Sequence, residues 1–179
     1  MRPPLAGRSP ILYTALAVRG LKAYSPGGRR EETAAQISRA RAFLRIADPE
    51  DTQGESFKLL GLIWSGASAS EIAAQAKHLA SLQRKDGGWA QRFTMSSDAY
   101  ATGQALYALN ASGQPASTSV TRNGAQYLLR TQMEDGTWFM RSRAVGFQPY
   151  FETGFPHGRD QFISSAATAW AAIGLAHTL

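Results

Sequence analysis

Apolar positions along this 179-residue chain fall into seven blocks, and the blocks alternate in kind. The stretch SPILYTALAVRGLKAYSPGG opens on Ser-Pro, a helix-start signal, repeats Ile11, Ala15 and Val18 at helical spacing, and stops at Gly-Gly. It predicts a largely apolar helix. REETAAQISRARAFLRIADPED keeps its acids in the first turn, where the helix dipole favours them, sets Ile37 and Leu44 on one face and ends at Asp-Pro. That pattern predicts an amphipathic, more polar helix. DTQGESFKLLGLIWSGAS is apolar again, whereas SASEIAAQAKHLASLQR starts on Ser and Glu, aligns Ile72, Ala76, Leu79 and Leu82, and collects basic residues at its end. SSDAYATGQALYALNASG is apolar, STSVTRNGAQYLLRTQ is amphipathic with Tyr127 and Leu128 inward, and SSAATAWAAIGLAHTL is a last apolar helix.

A helix that is apolar all round must be covered on most sides, while a one-sided helix covers others and faces water. Two concentric layers meet both demands. The expected fold is therefore all-α: one domain over 1–179, built of about seven helices stacked as α-hairpins into a partial α/α barrel, or toroid, with inner and outer layers.

A repeat marks the corners. HLASLQRKDGGW and YLLRTQMEDGTW place Gln, Asp, Gly and Trp in the same order, with Gln83 and Gln132 49 residues apart. Both copies fall between an outer helix and the next inner one. Asp-Gly and Gly-Gly permit positive φ at a tight reversal, and the Trp beyond it can fold back over the end of the outer helix. The amides of Gln83 and Gln132 can bond free carbonyls of the last turn. Gln83, Gly88, Trp89, Gln132, Gly136 and Trp138 are read as a structural staple between hairpins.

Composition narrows the partners. Hydrophobic residues make up 44% of the chain and charged ones 18%, which fits a folded domain. No apolar run is long enough to span a bilayer, and MRPPLAGRSP has no signal-peptide core. The net charge of +6 comes mostly from Arg scattered singly, a pattern of solvated surface and not of a nucleic-acid patch. With no Cys there is neither a disulfide framework nor a thiolate metal site, and the three His lack spaced partners, so no metal or cofactor is expected.

The two corner motifs resemble the QW repeats of the prenyltransferase and squalene oxidase superfamily. RNGAQYLLRTQMEDGTW followed by YFETGFPHGRDQF is similar to the C-terminal part of squalene-hopene cyclases, and SPILYTALAV resembles one of their inner helices. The resemblance covers most of the chain, most strongly residues 75–176. It implies the α/α toroid and, for an active member, terpene-cyclase-like chemistry of the isomerase or lyase kind. Closed toroids of that family contain more hairpins than this chain supplies. The remainder of a longer parent chain, or a second copy, is therefore expected at the open end of the arc.

The catalytic equipment those cyclases use departs here. Their Asp-x-Asp-Asp acid motif is absent, Tyr13 and Ala101 stand where Asp often precedes Thr, and the aromatic run after Gly-Phe-Pro is replaced mostly by Ser, Ala and Thr. Cation–π stabilisation of a carbocation needs ring faces around the charge. Cyclisation by this chain alone is not expected. The expected role is to hold an apolar or isoprenoid ligand between the inner helices and the 148–162 stretch; the alternative is a non-catalytic repeat module that binds protein or carbohydrate. From Trp to the following Ala-Thr pair the first copy uses 12 residues and the second 29. The insertion places Glu152, His157, Arg159 and Asp160 in one loop. Asp98, Glu152, His157 and Asp160 are the candidate acid, base and proton-carrying groups, and two of the carboxylates facing each other would signal catalysis, glycoside hydrolysis for instance. Tyr100, Phe155, Arg159, Phe162 and Trp170 are the candidate ligand contacts.

Overall fold

The computed structural model describes residues 9–143 and 149–178. Seven α-helices form: α1 (Pro10–Tyr24), α2 (Arg30–Ile46), α3 (Thr52–Ser65), α4 (Ala69–Ser81), α5 (Ala99–Ala111), α6 (Ser119–Thr131) and α7 (Gln161–Ala176). Side-chain caps start five of them. Ser9, Asp51, Asp98 and Thr118 each accept from a backbone N–H inside the first turn, and Ser68 forms a reciprocal capping box with Glu71. Gly66, in the left-handed region at φ 74°, ends α3.

The alternation read from the sequence becomes two layers. Helices α1, α3, α5 and α7 pack side by side in that order as an inner wall, with α2, α4 and α6 covering the seams between successive members. Burial follows the same division. Nearly every residue of α3 from Thr52 to Leu62 is buried, as is most of α5, whereas α2 buries only Leu44. The inner helices approach closely where side chains are smallest. A Cβ added to Gly103 of α5 would stand 2.3 Å from the Trp170 carbonyl oxygen of α7, so α5 and α7 meet backbone to backbone there.

Two details differ from the sequence reading. Helix α7 begins at Gln161, ahead of the apolar block, and residues Trp89–Ala90 and Ser97–Asp98 pair as a two-residue antiparallel ribbon, β1 and β2. The ribbon joins the end of the first corner to the start of α5. The opening MRPPLAGR and the first residue of the 148–162 stretch lie outside the described residues.

Candidate functional site

The corners are the most regular feature. Trp89 is fully buried and Trp138 3% exposed. The Trp89 indole Nε1 donates to the Leu79 carbonyl at 2.9 Å, and the Trp138 Nε1 to the Leu128 carbonyl at 2.9 Å. Each indole thus adds a donor to a carbonyl in the last turn of the outer helix, where Leu79 O also takes the Leu82 N–H at 3.3 Å and Leu128 O the Thr131 hydroxyl at 3.2 Å. Each Trp also donates its backbone N–H to a threonine of the next inner helix, Trp89 to Thr102 and Trp138 to Thr168. One residue binds the outer helix by its side chain and the inner helix by its main chain.

The rest of the motif shapes the reversal. Asp86 Oδ1 accepts from the Gly88 N–H and Asp135 Oδ1 from the Thr137 N–H. The left-handed residues are Gly87 at φ 86° and Gly136 at φ 80°. Gly88, which aligns with Thr137, serves close approach instead: a Cβ there would lie 2.7 Å from Ser97 Cβ and 3.0 Å from the Tyr127 ring. The two corners differ in what covers them. Gln83 Nε2 donates to Gly87 O at 2.9 Å and to Val120 O, in the first turn of α6, at 2.8 Å. Gln132 Nε2 makes the corresponding bond to Gly136 O alone, among the described residues.

The inner wall carries a hollow of about 510 Å³ that is open to solvent, with Leu16 and Ile173 of its lining exposed. Its lining comes from evenly spaced positions: Leu12, Leu16 and Arg19 on α1; Gln53, Phe57, Leu60 and Trp64 on α3; Tyr100, Gln104 and Tyr107 on α5; Trp170 and Ile173 on α7. Steps of three and four residues keep each set on one helical face. The rings interlock. Trp170 meets Phe57 edge to face with centroids 6.1 Å apart and Tyr107 at 6.0 Å. At the floor the Tyr100 hydroxyl donates to Gln53 Oε1 at 2.7 Å, and burial pushes the Tyr100 phenol up to about 12. Among the described residues no Asp, Glu or His lines the hollow.

The residues expected from the sequence divide between two places. Tyr100 and Trp170 line the hollow; Phe155, Arg159 and Phe162 do not, so the hollow belongs to the inner helices without the inserted loop. The reason is local bonding. Gln161, fully buried at the start of α7, accepts from the Thr153 N–H and hydroxyl through Oε1 and donates through Nε2 to the Tyr150 hydroxyl and the Phe151 carbonyl. These bonds fold residues 150–154 onto the helix end. Arg159 lies over the Tyr150 ring at 6.0 Å, and Phe162 is 57% exposed.

Each candidate acid or base is engaged locally. Asp98 caps α5 through the Ala101 N–H and accepts from Gln91 Nε2 at 3.0 Å; desolvation raises its carboxyl to about 6, against those bonds and the charge of Arg143. Glu152 accepts from the Tyr150 hydroxyl and the Gly154 N–H, and these bonds hold its carboxyl below the usual range. Asp160 accepts from the Ser142 N–H at 2.7 Å. Thr137 donates its one hydroxyl proton to Asp135, so it accepts from His157 Nε2, 2.7 Å away. That bond, with Phe139 and Phe155 packed near the imidazole, holds His157 in a left-handed backbone conformation at φ 84°. Among the described residues no side-chain hydrogen bond or ion pair joins any two of Asp98, Glu152, His157 and Asp160; His157 and Asp160 meet only through the backbone, Asp160 N–H to His157 O at 2.9 Å.

Sequence reading missed Phe57, Trp64, Tyr107 and Gln161. The spacing of Gln53, Phe57, Leu60 and Trp64 was a usable signal for the first two; nothing in the sequence marked Gln161.

A double wall of helices whose corners are tied by paired Gln and Trp defines an α/α toroid of the QW-repeat type. Residues 35–178 match the squalene-hopene cyclase C-terminal domain family, and the chain belongs to that family. It is similar to the squalene–hopene cyclase of Bradyrhizobium diazoefficiens, with 36% identity over 110 residues covering 55% of this chain. The chain spans 16% of that cyclase's length.

Proposed function

We propose that this domain holds an apolar or isoprenoid molecule in the hollow of its inner wall and does not cyclise it. The observation that carries the reading is the lining itself: five aromatic and four aliphatic residues around about 510 Å³, within the range of small-molecule sites. Protonating an isolated alkene needs a strong acid at the double bond, and the lining supplies none. The four titratable groups singled out in the sequence act as a helix cap and as loop fasteners, which gives them work other than acid–base chemistry.

The reading is tested by titrating the purified protein with Nile red and displacing the dye with squalene. Saturable binding near one dye per chain, weakened by Phe57→Ala and Trp170→Ala, is expected. Failure of the dye to bind above a surface background would remove the ligand role. Detection of a cyclic product after incubation with squalene would overturn the non-catalytic half.

A further inference from the structure

Among the described residues the hollow has one charged side chain in its lining, Arg19, and no acid. Leu12, Leu16 and Arg19 share a face of α1 and all three line the hollow. The Arg19 guanidinium sits 5.5 Å from the centre of the Trp64 ring. Among the described residues no hydrogen bond or salt bridge uses it, while Arg29 and Arg45 each have a glutamate partner. Arg19 is exposed, so it stands at the solvent side of the hollow, whereas Tyr100, Gln53 and Gln104 are buried behind it. The Gln53 oxygen is already taken by the Tyr100 hydroxyl and the Gln104 amide.

This is a polarised container. Its partly buried interior offers aliphatic and aromatic surface with a floor bonded to itself apart from the Gln104 Oε1, and its mouth offers a planar cation with free donors. We infer that the ligand is an anionic amphiphile: an apolar tail among Phe57, Leu60, Tyr107 and Trp170, and a single carboxylate or phosphate head on the Arg19 guanidinium. The chemistry fits in both parts. A guanidinium presents paired N–H groups that match the two oxygens of such a head, and with no carboxylate in the lining nothing competes for it. A cationic head would meet Arg19 with repulsion, and a neutral hydrocarbon would leave its donors to water.

The inference rests on the ligand role proposed above, and the experiment separates the two. Dodecanoate, dodecyl phosphate, dodecanol and dodecyltrimethylammonium, each below its critical micelle concentration, compete with Nile red for wild type, Arg19→Gln and Lys22→Gln. Because Arg19 is exposed, the substitution leaves the fold intact, which far-ultraviolet circular dichroism verifies. The two anions are expected to bind about fivefold to tenfold more tightly than dodecanol. That preference should vanish in Arg19→Gln, with dodecanol affinity unchanged, and persist in Lys22→Gln. The stronger of the two anions identifies the head group. Equal affinity for anions and alcohol in wild type, or equal loss of preference in both variants, would overturn the inference and leave an uncharged-ligand hollow standing. If none of the four displaces the dye while squalene does, the inference falls and the ligand role stands; if the dye itself does not bind, both fall.

Discussion

Replacing Trp89 removes more than a large side chain. The indole is fully buried, its Nε1 satisfies the Leu79 carbonyl, and its ring edge lies against α6, where a Cβ added to Gly124 would come within 3.0 Å of it. Trp89→Ala therefore opens a cavity at the meeting point of α4, α5 and α6, with an expected loss of about 3–5 kcal/mol. Trp89→Phe keeps most of the volume but removes the indole donor from the Leu79 carbonyl, which retains the Leu82 N–H at 3.3 Å, for a loss of about 1 kcal/mol. Against a total stability of roughly 5–15 kcal/mol, the first change shifts the urea midpoint far and the second moderately. Unfolding is followed by far-ultraviolet circular dichroism, since the substitutions alter tryptophan emission itself. Trp138→Ala loses the equivalent bond to Leu128 but sits at a corner without a following outer helix among the described residues, so its loss is expected to be the smaller. An unchanged midpoint for Trp89→Ala would refute the assignment of the corner as the tie between hairpins.

The glutamines of the two corners are expected to separate in the same assay. Gln83→Ala gives up bonds to Gly87 and Val120 and should cost about 1–2 kcal/mol, while Gln132→Ala, losing one exposed bond, stays within about 0.5 kcal/mol; equal losses would contradict the difference in cover. Asp98 makes stability depend on pH. Its folded pKa of about 6 lies above the ordinary aspartate value of 3.8, so the folded state holds the proton more tightly; stability falls as pH rises between those values and the penalty is full above about 6. Asp98→Asn keeps a capping oxygen and, with the Gln91 amide turned over so that its Oε1 replaces the Nε2 now facing Asp98, donates to that oxygen, so it should stabilise the protein by about 1 kcal/mol at pH 7 and flatten the slope between pH 4 and 6. A thermal or urea titration showing the same slope in wild type and variant would refute this.

The fold was legible because burial leaves a periodic trace. One-sided patterns such as Ile72, Ala76 and Leu79 identified the outer helices, and helices without a polar face could only be inner. That same property hid the hollow. On α3 or α5 every side is apolar, so hydrophobicity does not separate the residues facing the cavity from those facing the outer layer. Only ring spacing, Phe57 with Trp64 and Tyr100 with Tyr107, distinguishes them. The inserted loop misled in the opposite sense. Glu152, His157 and Asp160 crowd together in sequence like a reactive group, yet each has an acceptor or donor within a few residues or across the second corner. Gln161 organises the loop from inside a helix, where a single polar residue gives no local signal.

The second bond of Gln83 gives the array a direction. Because its amide reaches the first turn of the following outer helix, the first corner secures the hairpin after it, and this neighbour coupling adds to the apolar core that runs through the helices. The hairpins around the first corner are locked from both sides, while the neighbourhood of Gln132 is held from one. Local opening is therefore graded, cheapest beside the second corner and costliest near α5.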